Sequence, residues 1–556
     1  MNRRRIAIAT AALLGLSLVA FWPFSVPSSA LSSPAPGAPR PNVEPVARPA
    51  PAVERDSASG GLFDDEAKAA FLRGLTPDEQ ERVIRLKSRY ILPAKSYARS
   101  AEGGQAFVQF DEHPSDDAKA DWAKQGVHLG APYTGRSYRA TLEPGAWDRV
   151  KDRPEVVGIA EVRPEDKLPP VLHRWLQQGA AAQPATAQRR ERVAIELAPG
   201  AGEDIVAVLA RMGLDIERRV AKGDLLVQAN PAQIAQLAEM RQVAYIHHRL
   251  RLPLVELSDD WARPALPPPE KHNEDSRALH RVDALHGPLY DLTGTGVRIC
   301  EIDGGPVRAT HEAFGGRVTL VETDQPLSNH ATHVGCTMIG NPAGVPRAKG
   351  MAPSATLYSY DFYDEFNGSG DWLLQEKVTH SVATYACATS NHSYGYPIGA
   401  DGAGVSTRED WFGYYDYDDG LWDQLVADQD VIVCKSAGND RNDSAAPGYY
   451  DDGYGLFYYD GHDGRRVSTD LVNPYWDCIP LGNLGKNIIT VGAVGPDGVL
   501  LDFSSTGPVD DGRVKPDVVA DGYLYSAFSS SDTAYGTMQG TSMACPTTTG
   551  ITAVAA

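Results

Sequence analysis

Basic residues are in short supply. Against 72 Asp and Glu the chain has 52 Lys and Arg, a formal net charge of −20 over 556 residues. Nucleic acid and anionic membranes both bind through basic patches, so neither is an expected partner. Cysteine is scarce too, with six in all. Cys300, Cys336, Cys387, Cys434 and Cys545 fall in stretches that read as buried strand or helix, where the thiol serves as a small hydrophobe; Cys478 is left undecided. Beyond the N-terminal run no segment is long and apolar enough to span a bilayer. Two catalytic signatures are also missing. No G-x-S-x-G elbow frames a serine, which argues against a serine esterase. His330 and His333 lack the glutamate of H-E-x-x-H, because position 331 is alanine, so a zinc peptidase is excluded.

What is present begins with an address. Met1-Asn2-Arg3-Arg4-Arg5 is a basic n-region, Ile6 to Phe24 is apolar apart from Pro23, and Ser28-Ser29-Ala30 offers a small-residue cleavage site. Residues 1–30 therefore read as a cleaved signal peptide, with an uncleaved anchor as the rival. The protein is expected outside the cell or in the cell envelope, with no membrane contact after cleavage. No cysteine lies near the apolar run, which argues against a lipoprotein. Residues 31–100 read as a Pro/Ala-rich linker and a short helical segment, the latter started by the capping box Thr76-Pro77-Asp78-Glu79.

An internal repeat follows. Strand, helix and strand signals at Phe107–Phe110, Asp116–Gln125 and Ser137–Leu142 continue into a helix near Gly145–Arg153 and a strand at Val156–Val162. The same order returns from Val193 to His248, offset by 86 residues at the first strand and 87 at the last. Each unit reads as β-α-β-β-α-β, one over 101–172 and one over 190–257. Generic adaptor domains would show the same pattern. Residues 258–275, which include Pro267-Pro268-Pro269, form a polar linker open to cleavage.

From residue 276 to 556 short apolar strands alternate with helices, the pattern of an α/β layered fold with a mostly parallel sheet. One strand, Val297 to Ile302, ends in Asp303 and two turn glycines. Asn329-His330-Ala331-Thr332-His333 opens a helix-like run. Gly540-Thr541-Ser542-Met543-Ala544 turns a polar loop into an apolar helix, with Ser542 at or next to the N-cap. Thr-Ser at a helix start is ordinarily a cap and nothing more. A serine becomes a nucleophile only when a base takes its proton and a third group orients that base. Asp303, His330 and Ser542 supply those three roles in the chain order of subtilisin.

These stretches resemble the subtilases, the subtilisin-like serine peptidases. The resemblance also takes in Lys349-Gly350-Met351-Ala352-Pro353, Ser436-Ala437-Gly438-Asn439, Val491-Gly492-Ala493 and Lys515-Pro516-Asp517, and runs from about residue 285 to the end. It implies a subtilisin-like three-layer fold in which Asp303, His330 and Ser542 hydrolyse peptide bonds through an acyl-enzyme. Asn439 is implied as the side-chain oxyanion donor, beside the Ser542 N–H. Asn391-His392-Ser393-Tyr394-Gly395 matches the family's substrate-pairing strand, so Ser393 and Gly395 are expected to bind substrate backbone and Gly438 to line the pocket before the cut. His333 is then a packed histidine. Propeptides of the family share the fold of the repeats, which makes the two small α+β domains an inhibitory, folding-assisting region. Substrates are then proteins or peptides, and the chain's own propeptide is a further partner.

The chemistry needs no cofactor. Clustered carboxylates between Asp401 and Asp423 suit a structural calcium, and equally a solvated acidic insertion; no regular ligand spacing names a metal residue. The chain departs from the family at Asp303-Gly304-Gly305, at Val334-Gly335-Cys336 and at Gln539. A catalytically silent secreted binding module on the same fold is the alternative function. Finally, Ala556 follows Ser542 by only 14 residues, and no stop signal closes the helix. The peptidase domain is therefore expected to be C-terminally incomplete here.

Overall fold

The computed structural model describes residues 54–94, 103–150, 153–179, 189–201, 205–220, 223–249, 254–256, 273–341, 343–363, 373–401, 404–405, 411–443, 445, 448–451, 456–459 and 478–556. The expected signal peptide, the Pro/Ala-rich stretch up to residue 53, most of the 258–275 stretch expected to be a linker and part of the acidic 401–423 segment lie outside them. The described chain falls into two compact units, one ending at Leu250 and the other running from Arg251 to Ala556.

In the first unit, strands β1 (Gly104–Phe110), β2 (Val127–Tyr133), β3 (Ser137–Leu142) and β4 (Val156–Glu161) form an antiparallel sheet in the order β2-β3-β1-β4. Helices α1 (Asp116–Lys124) and α2 (Ala146–Val150) fill the two crossovers. The second sheet has β5 (Glu191–Leu197), β6 (Ile216–Arg219), β7 (Leu225–Ala229) and β8 (Val243–His248) in the matching order β6-β7-β5-β8, with α3 (Ile205–Arg211) and α4 (Pro231–Glu239) in the same places. Buried Gln105 donates to the carbonyls of Arg241 at 2.7 Å and Val243 at 2.9 Å, tying the first sheet to the second.

The short helical segment is only part of what residues 54–94 build. Thr76 does cap Pro77–Glu81, and Glu79 returns a bond to the Thr76 N–H. Val83, Ile84 and Leu86, which follow it, are buried on or beside a three-stranded sheet of Arg55–Asp56, Tyr90–Leu92 and Ile84–Arg85. Arg89, fully buried, joins that sheet to Asp166 at 3.0 Å and also pairs with Asp56 at 2.6 Å.

The second unit is the α/β layered domain. Strands β10 (Arg298–Asp303), β11 (Val318–Leu320), β12 (Thr356–Asp361), β13 (Thr389–His392), β15 (Ile432–Ser436), β16 (Ile489–Val494) and β17 (Val518–Asp521) form one sheet in the order β11-β12-β10-β13-β15-β16-β17. Every pairing in it is parallel. A two-residue strand, β14 (Tyr394–Gly395), follows β13. Alternation decides what each face buries. Ile299 of β10 packs with Val334 and Met338 of helix α5 (Asn329–Ile339) and Met543 of α8 (Thr541–Ala555). Cys300 and Ile302 face the other way, onto Val378 of α6 (Leu374–Tyr385) and Trp422 of α7 (Tyr417–Asp428). Helices thus cover both faces, as an all-parallel sheet requires. All six cysteines are buried and unbridged, so Cys478 joins the other five as a packed thiol.

Candidate active site

Open parallel sheets place ligands at the carboxyl ends of their strands. Asp303 is the last residue of β10, in the middle of the sheet, and is fully buried. Its Oδ1 accepts from the Gly304 N–H at 2.8 Å and lies 2.8 Å from His330 Nδ1. An oxygen that accepts from Gly304 can only accept from the imidazole as well, so the proton is on Nδ1 and Nε2 is the basic nitrogen.

His330 is the second residue of α5. Ser328 caps that helix by accepting from the Ala331 N–H at 2.9 Å, and Thr332 Oγ1 donates to the Ser328 carbonyl at 2.7 Å. The ring is held by both its partner and its helix end. His333, one turn on, is a packed residue. Its Nε2 faces the Leu524 carbonyl at 3.2 Å, and burial pushes its pKa down to about 3.

Ser542 is the second residue of α8 and not its N-cap. The cap is Gly540, at φ +150°, a conformation that favours glycine. Ser542 is fully buried, and its Oγ donates to the Ser393 carbonyl at 2.9 Å. Ser393 Oγ donates back to the Ser542 carbonyl at 3.0 Å and accepts from Asn391 Nδ2 at 3.0 Å. Thr549 Oγ1 donates to Asn391 Oδ1 at 2.9 Å, so α8 is laced to β13 over two turns. Helices α5 and α8 share one buried cluster through Ala331, Val334 and Met543.

Asn439 follows β15. Its Oδ1 accepts from the Thr541 N–H at 2.9 Å, which settles which end of the amide is oxygen. The Nδ2 group is then the donor this side chain offers. Gly438, at φ +106°, donates its N–H to Thr541 Oγ1 at 3.2 Å. A Cβ there would stand 2.6 Å from Asp440 Oδ2 and 2.8 Å from Ser505 Oγ, so glycine is required on both counts.

Gly395 and Tyr394, on the stretch expected to pair with substrate, carry a strand of the chain's own. β9 (Val255–Glu256) runs antiparallel to β14, with Val255 opposite Gly395 and Glu256 opposite Tyr394. Leu254, half-buried, lines a cavity with Leu374, Tyr394, Trp422 and Lys435. Lys435 is fully enclosed, its ammonium 4.8 Å from the Tyr394 ring centre and 4.6 Å from that of Trp422, and burial lowers its pKa to about 8. Neither Lys435 nor Thr541 belongs to the site residues expected from the sequence. The signal for Lys435 was a lone charge inside the apolar run Val431-Ile432-Val433-Cys434-Lys435. Among the described residues no group of three or more His, Cys, Asp or Glu is arranged to hold a metal ion.

Residues 308–556 match the subtilase family. That part of the chain is similar to the subtilases over the stretch that holds His330, Asn439 and Ser542. The match takes in His330, Asn439 and Ser542 and begins five residues after Asp303, so the claim of Asp303 to the site rests on its bond to His330. Among curated proteins, the chain is 26% identical over 352 residues to an extracellular serine proteinase of Thermus sp. (strain Rt41A), covering 59% of this chain. The chain spans 65% of that relative's length. Similar solved structures include the epidermin leader peptide processing serine protease of Staphylococcus aureus, at 14% identity and TM-score 0.41 over 66% of this chain and 89% of that one. The CspB protease of Clostridium perfringens follows at 16% identity and TM-score 0.36, over 51% and 87%.

Proposed function

We propose that the chain is a secreted serine endopeptidase, made as an inhibited precursor, that cleaves protein or peptide substrates through Asp303, His330 and Ser542. The observation that carries this is the 2.8 Å bond between Asp303 Oδ1 and His330 Nδ1, which leaves Nε2 as the base. Ser542 Oγ turns from the Ser393 carbonyl, gives its proton to Nε2 and attacks the scissile carbonyl. Asp303 holds the tautomer and stabilises the imidazolium. The oxyanion meets Asn439 Nδ2 and the Ser542 N–H, at the positive end of α8. The imidazolium then protonates the leaving amine, and water, deprotonated by Nε2, releases the acyl group. None of these steps uses a cofactor.

The strand β9 on β14 supports the precursor reading: an extended segment already occupies the edge to which a substrate backbone would add by β-augmentation. The two repeats, 101–172 and 190–257, precede it in the chain and have matching strand orders. We assign them the propeptide role, and residues 276–556 the peptidase role. The basic and apolar N-terminus, with the extracellular relative, supports an extracellular or cell-envelope location.

The bond from Ser542 Oγ to the Ser393 carbonyl favours a second reading, a silent binding module. An active-site fluorophosphonate probe decides between them. Labelling of the processed protein, lost in Ser542→Ala together with casein hydrolysis, supports the peptidase. The loss of turnover expected is about a million-fold, the figure for subtilisin without its nucleophile. No labelling of processed parent protein would establish the silent module.

A further inference from the structure

Glu301 has a place in the fold that packing alone does not explain. It stands two residues before Asp303 on β10, on the same face of the strand, about 7 Å along it. It is fully buried, and neither of its carboxyl oxygens meets a hydrogen-bond donor among the described residues. Around it on this face are Ile299 and Leu357, apolar, and Ser359, whose Oγ accepts from the Val307 N–H at 3.2 Å. Asn391, its register partner on β13, has both ends of its amide engaged by Thr549 and Ser393.

The helix above has been cut back to fit it. A Cβ at Gly335 of α5 would lie 2.9 Å from Glu301 Oε2 and 2.9 Å from Leu357 Cδ2. Position 335 is one of the points where the chain departs from the family motif, and the structure supplies the reason. The Glu301 carboxyl thus lies between the strand that ends in Asp303 and the helix that carries His330.

Charge completes the argument. The charged or basic groups on the facing side of the surrounding elements are Asp303 on β10, His330 and His333 on α5, and Asp361 opposite Asp303 on β12; burial keeps the thiols of Cys336 on α5 and Cys545 on α8 neutral, and Cys300, Tyr358, Tyr360 and His392 alternate to the other face. Asp361 is bonded to Lys377 at 3.2 Å, and no cation pairs with Glu301 among the described residues. Burial first, and the charge of Asp303 second, hold the Glu301 carboxyl well above the usual carboxylate range. It therefore carries a proton and has an O–H to give. On the same face Asp303 Oδ2 is a buried oxygen with no donor among the described residues.

We propose that Glu301 is a positioning residue for the catalytic pair, its carboxyl O–H donating to Asp303 Oδ2 directly or through one bound water. The bond fixes the Asp303 carboxylate so that Oδ1 faces His330, and it draws off part of the negative charge that the imidazolium feels. This rests on Asp303, His330 and Ser542 forming the catalytic machinery.

The test has two readouts, one of them independent of turnover. In the Ser542→Ala background the titration of His330 is followed by NMR, with and without Glu301→Val/Gly335→Ala, a pair that refills the pocket with carbon. Loss of the donor returns full charge to Asp303, so His330 should titrate higher by about half a pH unit or more. In the active enzyme the acid limb of kcat/KM should move up by the same amount, with kcat reduced about tenfold and KM unchanged. Glu301→Gln keeps an N–H donor and should restore kcat to within about threefold. A double variant that matches the parent in titration and kcat overturns the proposal, as does a folded Glu301→Gln that is no better than the double variant. Should the double variant fail to fold, Gly335→Ala alone must raise the His330 titration by displacing Oε2; an unmoved titration overturns the proposal. A parent that titrates as expected but hydrolyses nothing would count against the peptidase reading only.

Discussion

Asn439 Oδ1 accepts from both the backbone N–H and the hydroxyl of Thr541, each at 2.9 Å. Thr541, the residue before the proposed nucleophile, therefore orients the amide proposed to meet the oxyanion, and ties β15's end to the start of α8. Replacing Asn439 by Ala should lower kcat about 100- to 1,000-fold with KM little changed, the size of loss known for the same asparagine in subtilisin. Steady-state kinetics on a peptide anilide measure it. A loss below about threefold would remove Asn439 from the site.

Maturation is expected to be self-catalysed. The pairing of β9 runs from Gly395 through Tyr394 toward Ser393, the residue whose carbonyl holds the Ser542 hydroxyl. The new N-terminus should therefore lie between Val255 and Asp275, with cleavage after Leu257 the leading site. Ser542→Ala protein should stay full-length, and the second repeat added in trans should inhibit the mature enzyme more strongly than the first. N-terminal sequencing that finds both repeats attached to fully active enzyme would refute the scheme.

Stability of the peptidase domain should fall as pH rises. Burial pushes Asp521 up to about 7, and its Oδ2 meets no donor among the described residues while Oδ1 accepts from the Tyr523 N–H at 3.0 Å. A carboxyl whose folded pKa is raised binds its proton more tightly in the native state. Its stabilisation is whole below about pH 4 and is lost as pH climbs through about 7. Asp521→Asn keeps the oxygen acceptor and cannot ionise. It should flatten the dependence of Tm on pH between 5 and 8, a gain on the order of 1–4 kcal/mol at the upper end. Parallel Tm–pH curves for parent and variant would show that Asp521 does not control it.

Close packing at the back of the nucleophile helix gives another test. A Cβ on Gly550 would lie 2.6 Å from Met351 Cβ, in the loop that follows Gly350. Gly550→Ala should destabilise by about 1–3 kcal/mol through overpacking, despite the better helix propensity of alanine. Chemical denaturation measures this, and a stabilised variant would contradict the packing.

Much of this architecture was legible because its residues advertise geometry. Apolar runs ended by carboxylate or Gly-Asn marked strand ends, and Gly540-Thr541-Ser542 marked a helix start. What escaped notice had weaker signals. The strand β2 includes Gly130 and Pro132, which read as breakers, and its register shifts between Leu129 and Pro132. The strand β6, Ile-Glu-Arg-Arg, is short and polar because it lies at the sheet edge. The small sheet of residues 54–94 depends on Arg89 reaching Asp166, 77 positions away, which no local pattern encodes. Glu301 was in plain view within Arg-Ile-Cys-Glu-Ile-Asp but has meaning only once Gly335 is seen opposite it.

The strand Val255–Glu256 competes for the β14 edge from within the same molecule. A tethered competitor acts at an effective concentration in the millimolar range, whatever the amount of protein. On the precursor reading proposed above, dilution does not relieve it, so latency before the cut would be indifferent to how much precursor a cell has made. Cutting the chain turns that closure into a bimolecular encounter. From then on the freed segment would depart on dilution, and activity would appear where the product is carried away from its place of synthesis.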